Sequence, residues 1–319
     1  MQNQPPTNPS LVLTSREQLI REMAPEQVAQ DGATPRWGEA PLRGQPLGHY
    51  TLIRQIGQGG YASMYLGVHR YLNTYVALKL VNHVLASDED VKRFQQEARM
   101  LAMLRHKHIV RVFDFGVARS TPYLVMEYAP GGDLQQHFPQ GRAQYIHALL
   151  PIVMQGANGL QYLHNHGLIH CDVKPENMLL GPKGQVWLCD FGIARSLSSV
   201  RKKQFKRHEL HGSASYMAPE QINENPGLSS DQYALAAVVY QWLCGQPLFE
   251  GTALQICLHH LSTPPARLRD RVASIWPHVE RVVLKALSKD PSQRFAHIQE
   301  FAYALKQASR HEAPSHNSF

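Results

Sequence analysis

The sequence predicts an α+β fold in two lobes, a small antiparallel sheet with one main helix followed by a larger, mostly α-helical part. Three observations carry this. Short β-branched and aromatic runs punctuated by glycine crowd the stretch from Tyr50 to Glu127. A single segment at helical spacing, Val91, Phe94, Ala98 and Leu101, interrupts them. Beyond the Gly131-Gly132 break, helical patterns take over. Strands first and helices second means segregated layers, and the cleft between two such lobes is where a small ligand would sit.

Taken in order, residues 1–46 are rich in Pro, Gln and Gly and are expected to be a flexible N-terminal extension. A helical period occurs there only around Leu19, Ile20 and Met23, room for one short helix. Strands are expected at Tyr50 to Ile56, Ala62 to Val68 and Tyr75 to Val81. Ser87 with Asp90 three residues on reads as a capping-box start for the helix that carries Glu97 close to its apolar face. Two more strands, Val110 to Phe115 and Tyr123 to Glu127, complete the sheet. Helices follow at Pro151 to His164, with Gly167 as a stop, and near 230–244, 278–288 and 295–307. The folded domain is thus drawn over 47–308, with a sheet lobe at 47–129, a helical lobe at 130–308 and a short disordered tail at 309–319.

Composition narrows the function classes. With 319 residues and 43% hydrophobic content the chain buries a sizeable core. The formal charge of +7 is partly local, in Arg201, Lys202, Lys203, Lys206 and Arg207, so it does not argue for a basic surface overall. That run either recruits an acidic substrate or is simply solvated; with Phe205 the one aromatic beside it, a stacking nucleic-acid site is not expected. The longest apolar run, Ala234 to Leu243, is far short of the roughly 20 residues of a membrane span and reads as a buried helix. The first residues, Met1 to Pro6, have no export-signal character, and Cys171, Cys189, Cys244 and Cys257 show no C-x-x-C pair, so a cytoplasmic setting with reduced thiols is expected. The close pairs among the 18 histidines lack the carboxylates or cysteines that would complete a metal set.

Several short motifs carry chemistry. Ile56, Gly57, Gln58, Gly59, Gly60, Tyr61 and Ala62 lie between two expected strands, where missing side chains let backbone N–H groups approach a phosphate. Alone, this fits a plain hairpin turn as well as a phosphate cradle. In Val76-Ala77-Leu78-Lys79 a lysine sits among apolar neighbours, which favours an anionic partner such as Glu97 if the lysine is buried and needs none if it is at an edge. His170-Cys171-Asp172-Val173-Lys174-Pro175-Glu176-Asn177 and then Asp190-Phe191-Gly192 bring a carboxylate, an ammonium, an amide and a second carboxylate. Such a set can take the proton of an attacking hydroxyl, neutralise a phosphoryl group and hold a magnesium ion.

The order of these signals, closed by Ala218-Pro219-Glu220, resembles the eukaryotic-type protein kinase family over about Leu47 to Ala308. The wording of Gly59-Gly60-Tyr61-Ala62, Lys174-Pro175-Glu176-Asn177 and Tyr216-Met217-Ala218-Pro219-Glu220 is most similar to bacterial serine/threonine kinases. The resemblance implies the bilobal kinase fold and transfer of a phosphoryl group from ATP, with Mg2+ or Mn2+, to protein serine or threonine hydroxyls, this chain's own included. It implies Asp172 as the catalytic carboxylate, Lys174 beside the γ-phosphate, Lys79 paired with Glu97 on the α and β phosphates, and Asn177 and Asp190 as metal ligands. Adenine would lie between Met64 and Ala77 above and Leu179 below, bonded to the backbone at Glu127 and Ala129, with Met126 as gatekeeper and Asp133 near the ribose. Leu101, Val112, His170 and Phe191 would form a spine anchored by Asp231, a role compatible with simple core packing, and Glu220 would pair with Arg294.

Cys171 departs from the pattern by standing where most kinases have arginine, a residue that pairs with a phosphorylated activation loop. Independence from phosphorylation of Ser196, Ser198 or Ser199 is therefore expected. Ala62 for the third loop glycine, Met64 for valine and Ser213 for threonine remove no reacting group. Two rival readings share the fold: an ATP-binding pseudokinase, opposed by the presence of Lys79, Asp172, Asn177 and Asp190, and a small-molecule kinase, opposed by the Ala218-Pro219-Glu220 segment.

Overall fold

The computed structural model describes residues 44–59, 62–81, 88–118, 121–190 and 214–310. The expected helix around Leu19, the loop tip at Gly60 and Tyr61, the segment 191–213 and the tail from 311 onward lie outside these.

The first lobe is a six-stranded antiparallel sheet in the order β1-β2-β3-β4-β6-β5. Its strands are β1 (Pro46–Leu47), β2 (Tyr50–Gln58), β3 (Ala62–His69), β4 (Tyr75–Val81), β5 (Val112–Ala118) and β6 (Thr121–Glu127). Period-2 alternation explains the hydrophobicity of β4, which is buried on both faces. Val76, Leu78 and Leu80 join Leu52, Tyr65 and Val125 in a small outer core, while Ala77 and Lys79 face the other way. That inner face is covered by α1 (Asp88–Met103), whose Phe94, Ala98 and Leu101 recur at helical spacing and are buried. Expected and observed strands agree closely except at β5, which starts at Val112 rather than Val110. Val110 instead donates to Leu188 O at 2.9 Å, and Ile109 bridges Leu188, so these two residues stitch the lobes together.

The second lobe contains α2 (Leu134–His137), α3 (Ile146–Asn165), α4 (Pro219–Ile222), α5 (Leu228–Cys244), α6 (Ala253–Ser262), α7 (Leu268–Arg271), α8 (Pro277–Ala286) and α9 (Ile298–Ala308). A two-stranded ribbon, β7 (Met178–Leu180) with β8 (Val186–Leu188), completes it. From Ser230 onward α5 is buried on every side, as befits the central helix of a large core, and it contains the apolar run Ala234 to Leu243. Leu149, Val153, Ala157, Leu160 and Leu163 form the buried stripe of α3. Its start corrects the sequence expectation, because Pro151 lies inside the helix rather than at its first turn. Proline there deprives the carbonyl four residues back of its helical bond, and that residue, His147, is on the exposed side where water can substitute.

One buried histidine ties the fold to pH. His260 on α6 faces Tyr233 Oη at 2.9 Å and Ser215 O at 3.2 Å, and burial, then nearby Lys289, pushes it down to about 3. Between that value and the ordinary 6.5 the unfolded chain binds the proton and the folded one does not, so this contribution to stability is intact above pH 6.5 and declines as pH falls. Urea titrations between pH 6 and 4 should show the pH slope of His260→Gln reduced by up to about 1.4 kcal/mol per pH unit. An unchanged slope would mean that His260 is protonated in the fold.

Candidate active site

Lys79 reaches the cleft because β4 points it to the same face as Ala77, beneath α1. Its Nζ lies 2.7 Å from Asp190 Oδ1, with the lysine side chain 10% exposed and the aspartate 32%. Burial alone would drive the lysine toward its neutral form; the Asp190 carboxylate outweighs this and raises its pKa. Glu97, the partner expected from the sequence, sits on α1, but its side chain is outside the described residues.

Asp190 follows β8 and has φ 62°. The preceding residue, Cys189, donates its backbone N–H to Asn177 O at 3.0 Å, which holds the end of β8 against the turn Pro175–Asn177. Asn177 in turn donates Nδ2 to Asp172 twice, to the backbone carbonyl at 2.8 Å and to Oδ2 at 2.9 Å. Lys174 Nζ is 3.0 Å from the same Oδ2. A lysine from the sheet lobe and an amide, an ammonium and two carboxylates from the helical lobe therefore meet in one cleft.

The loop bearing Asp172 is held from below. Cys171 has φ 61°, a conformation unfavourable for an L-residue, and buried Asp231 on α5 stabilises it by accepting the N–H of His170 at 2.9 Å and of Cys171 at 2.8 Å. His164 Nε2 lies 2.8 Å from Asp231, and Gln221 donates to Cys171 O at 2.9 Å. The strained, doubly supported backbone at Cys171 fixes where the neighbouring Asp172 carboxylate points.

Above the cleft, Ile56, Gly57 and Gln58 end β2 and Ala62 opens β3, with Gly57 opposite Met64 and Gly59 donating to Ala62 O at 2.9 Å. At the back, Ala77, Met126 and Ala129 are buried in one core, with half-buried Met64 and Leu179 packed against it. The connection between the lobes is bound to β7 by Gly131 N to Leu180 O at 3.0 Å and Leu180 N to Gly132 O at 2.9 Å. A side chain at Gly131 would strike Leu180 Cβ at 2.6 Å, which is why glycine stands there. Asp133 caps α2, accepting from Gln136 N at 2.9 Å and Gln136 Nε2 at 2.6 Å.

A protein kinase domain model matches residues 50–311. The chain belongs to the protein kinase domain family. It is 35% identical over 280 residues to serine/threonine-protein kinase Pkn1 of Myxococcus xanthus, covering 84% of this chain and 39% of that protein. With serine/threonine-protein kinase PrkC of Bacillus subtilis the identity is 32% over 264 residues, 82% of this chain and 40% of the relative. For the probable serine/threonine-protein kinase PknB of Lactococcus lactis it is 33% over 255 residues, 79% and 40%. This kinase domain thus spans about two fifths of the length of these bacterial relatives.

Within the kinase domain, Leu101, Val112 and His170 are buried where a spine is expected, while Phe191 lies outside the described residues. Glu220 and Arg294 form a bidentate pair, Nη1 to Oε1 at 2.7 Å and Nη2 to Oε2 at 2.9 Å. Two features were not read from the sequence. One is the Gln221 clasp on Cys171, which no local motif announces. The other is that Cys189 lines the small pocket expected behind the gatekeeper Met126, together with Lys79, Leu101, Val112, Leu124 and Asp190. Among the described residues no helix is long and apolar enough to cross a membrane.

Proposed function

We propose that this kinase domain transfers the γ-phosphoryl group of ATP to serine or threonine hydroxyls of proteins. The observation that carries the reading is the convergence of Lys79 with Asp190 and of Asp172 with Lys174 and Asn177, two contact groups drawn from both lobes and joined by the Cys189-to-Asn177 backbone bond. In this reading Lys79, kept charged by Asp190, binds the α and β phosphates, with Glu97 as its second partner. Lys174 neutralises the migrating phosphoryl group. Asp172 accepts the proton as the substrate oxygen attacks, and the amide of Asn177 holds that carboxylate in place.

Adenine occupies the slot between Met64 and Ala77 on one side and Leu179 on the other, Met126 closing its rear. Glu127 gives its own N–H to Arg111 O at 2.9 Å, so its carbonyl is the backbone group it offers to adenine; Ala129 offers the second. Asp133 faces the ribose, and Ile56 to Gly59 with Ala62 cover the phosphates. The donor set suits a hard divalent cation: with the Asn177 Nδ2 engaged on Asp172, the polar atom that amide offers is its oxygen, and Asp190 adds a carboxylate. Mg2+ or Mn2+ bound by these two side chains would screen the phosphate charge and orient the triphosphate. Four reduced cysteines accord with a cytoplasmic setting.

A thiol at Cys171 cannot form the charge-assisted bond that an arginine makes to a phosphorylated loop. Replacing Ser196, Ser198 and Ser199 together by alanine is therefore expected to leave turnover within about twofold, and a fall of about a hundredfold or more would refute the idea. The activity itself is tested by incubating the chain with γ-labelled ATP, Mg2+ and a generic basic protein. Label on serine or threonine is expected. No transfer at all, or transfer to small-molecule acceptors only, would overturn the assignment.

A further inference from the structure

Beside the connection between the lobes lies an open cavity of about 490 Å³ that the chemistry above does not use. Its wall is the segment from the end of α1 to β5 together with the β7–β8 turn, and it is lined by Arg105, Lys107, Arg111 and Lys183. These four permanent cations face a single lining carboxylate, Glu127. Among the described residues none of the four is in an ion pair within 4 Å, although Arg111 attracts the Glu127 carboxylate and lies 5.5 Å from the Phe113 ring centroid. Four like charges held around a concavity repel one another, an arrangement that an anion would relieve.

The four cations are exposed, and three further observations tie them to a defined concavity. The cavity has an apolar floor in Leu104, Ile109 and buried Trp187, which lowers the local dielectric and strengthens any charge interaction above it. The wall is rigid: His108 Nδ1 lies 3.0 Å from Val186 O, Leu188 donates to His108 O at 3.0 Å, and Val110 donates to Leu188 O at 2.9 Å. His106, also in the lining, has its pKa lowered chiefly by burial, with smaller contributions from His108 and Lys107. The volume falls within the range of small-molecule pockets, roughly 300 to 1,000 Å³, and suits a compact ligand rather than an extended chain.

We infer that this cavity binds a small polyanion, a molecule carrying two or more phosphate or carboxylate charges. The site is independent of the nucleotide cleft and does not rest on the proposed transfer reaction. It adjoins the cleft through Glu127, whose side chain lines the cavity while its backbone borders the adenine slot.

Calorimetric titration of the full chain, in metal-free buffer with adenosine saturating the cleft, tests this with sodium tripolyphosphate in one arm and citrate in the other. Saturable binding of at least one anion is expected, and the two arms separate phosphate from carboxylate preference. The double substitution Lys107→Glu with Lys183→Glu should weaken it about tenfold or more while leaving adenosine affinity unchanged. Equal affinity in the double variant would place the anion on Lys79 in the cleft and overturn the inference. So would absence of saturable binding in both arms, or tighter binding of hexaglutamate than of either anion, which would make the cavity a peptide-docking surface.

Discussion

Asp172→Asn should lose about 10²- to 10⁴-fold in phosphoryl transfer while folding normally. The substitution keeps the shape of the side chain and an oxygen to receive the Asn177 amide at the Oδ2 position, so the loop retains its main support from Asp231. What disappears is the basic oxygen proposed to take the substrate proton and the negative charge 3.0 Å from Lys174. Because the side chain is 29% exposed, its loss from the fold should change stability by no more than about 1 kcal/mol. Transfer measured with labelled ATP, alongside a urea melt, separates the two effects. Activity within tenfold of wild type would mean that another group accepts the proton.

The largest effect on stability is expected at Arg294→Met. The Arg294 side chain is fully buried and donates to both oxygens of Glu220, to Ser229 O at 2.9 Å, Ser288 O at 2.8 Å and Lys289 O at 3.2 Å. Methionine fills much of the volume but leaves a carboxylate and three carbonyls without that cation. Breaking one side of such a pair costs about 3 to 5 kcal/mol. The pH dependence gives a second signature. In the wild type, burial tends to raise the Glu220 pKa but the Arg294 guanidinium outweighs it and lowers it, so this stabilisation is present above the ordinary 4.5 and is lost as pH falls through the folded value. Without Arg294 burial is opposed only by the smaller effects of the Ser230 hydroxyl and a backbone N–H, Glu220 becomes protonated more readily, and the defect should shrink from pH 7 toward pH 4. A loss below about 1 kcal/mol at pH 7 would show that the ion pair merely breaks even.

The candidate site residues stand out in the sequence because each belongs to a short motif with its own chemistry, and strands such as β4 announce themselves as short apolar, β-branched runs. The contacts among those residues do not. Lys79 is held by Asp190, from a strand end far along the chain and brought close by the Cys189-to-Asn177 bond, a contact that no local spacing announces; the Glu97 side chain, the partner expected from the sequence, lies outside the described residues. The support of Cys171 by Asp231 and Gln221 likewise links separate elements. Helix boundaries failed where one rule was taken at face value, as at Pro151. Helix α6 had its signal in plain view, since Thr252 and Gln255 form a reciprocal cap at 3.4 Å and 2.8 Å, but a ten-residue segment beginning with that cap is short and only weakly periodic. The basic cavity draws Arg105, Lys107, Arg111 and Lys183 from two distant segments, a juxtaposition that only the folded chain reveals.

The claim on which the rest depends is that Lys79, Asp172, Asn177 and Asp190 surround one metal-bound triphosphate. The most direct test is titration of a nonhydrolysable ATP analogue, counting only binding that adenosine displaces, with and without Mg2+, in the wild type and in Asp190→Asn. Wild-type affinity should rise about tenfold or more when Mg2+ is added, and Asp190→Asn should abolish most of that gain. Equal affinity with and without the metal, or an Asp190→Asn variant that responds to Mg2+ as the wild type does, would contradict the account.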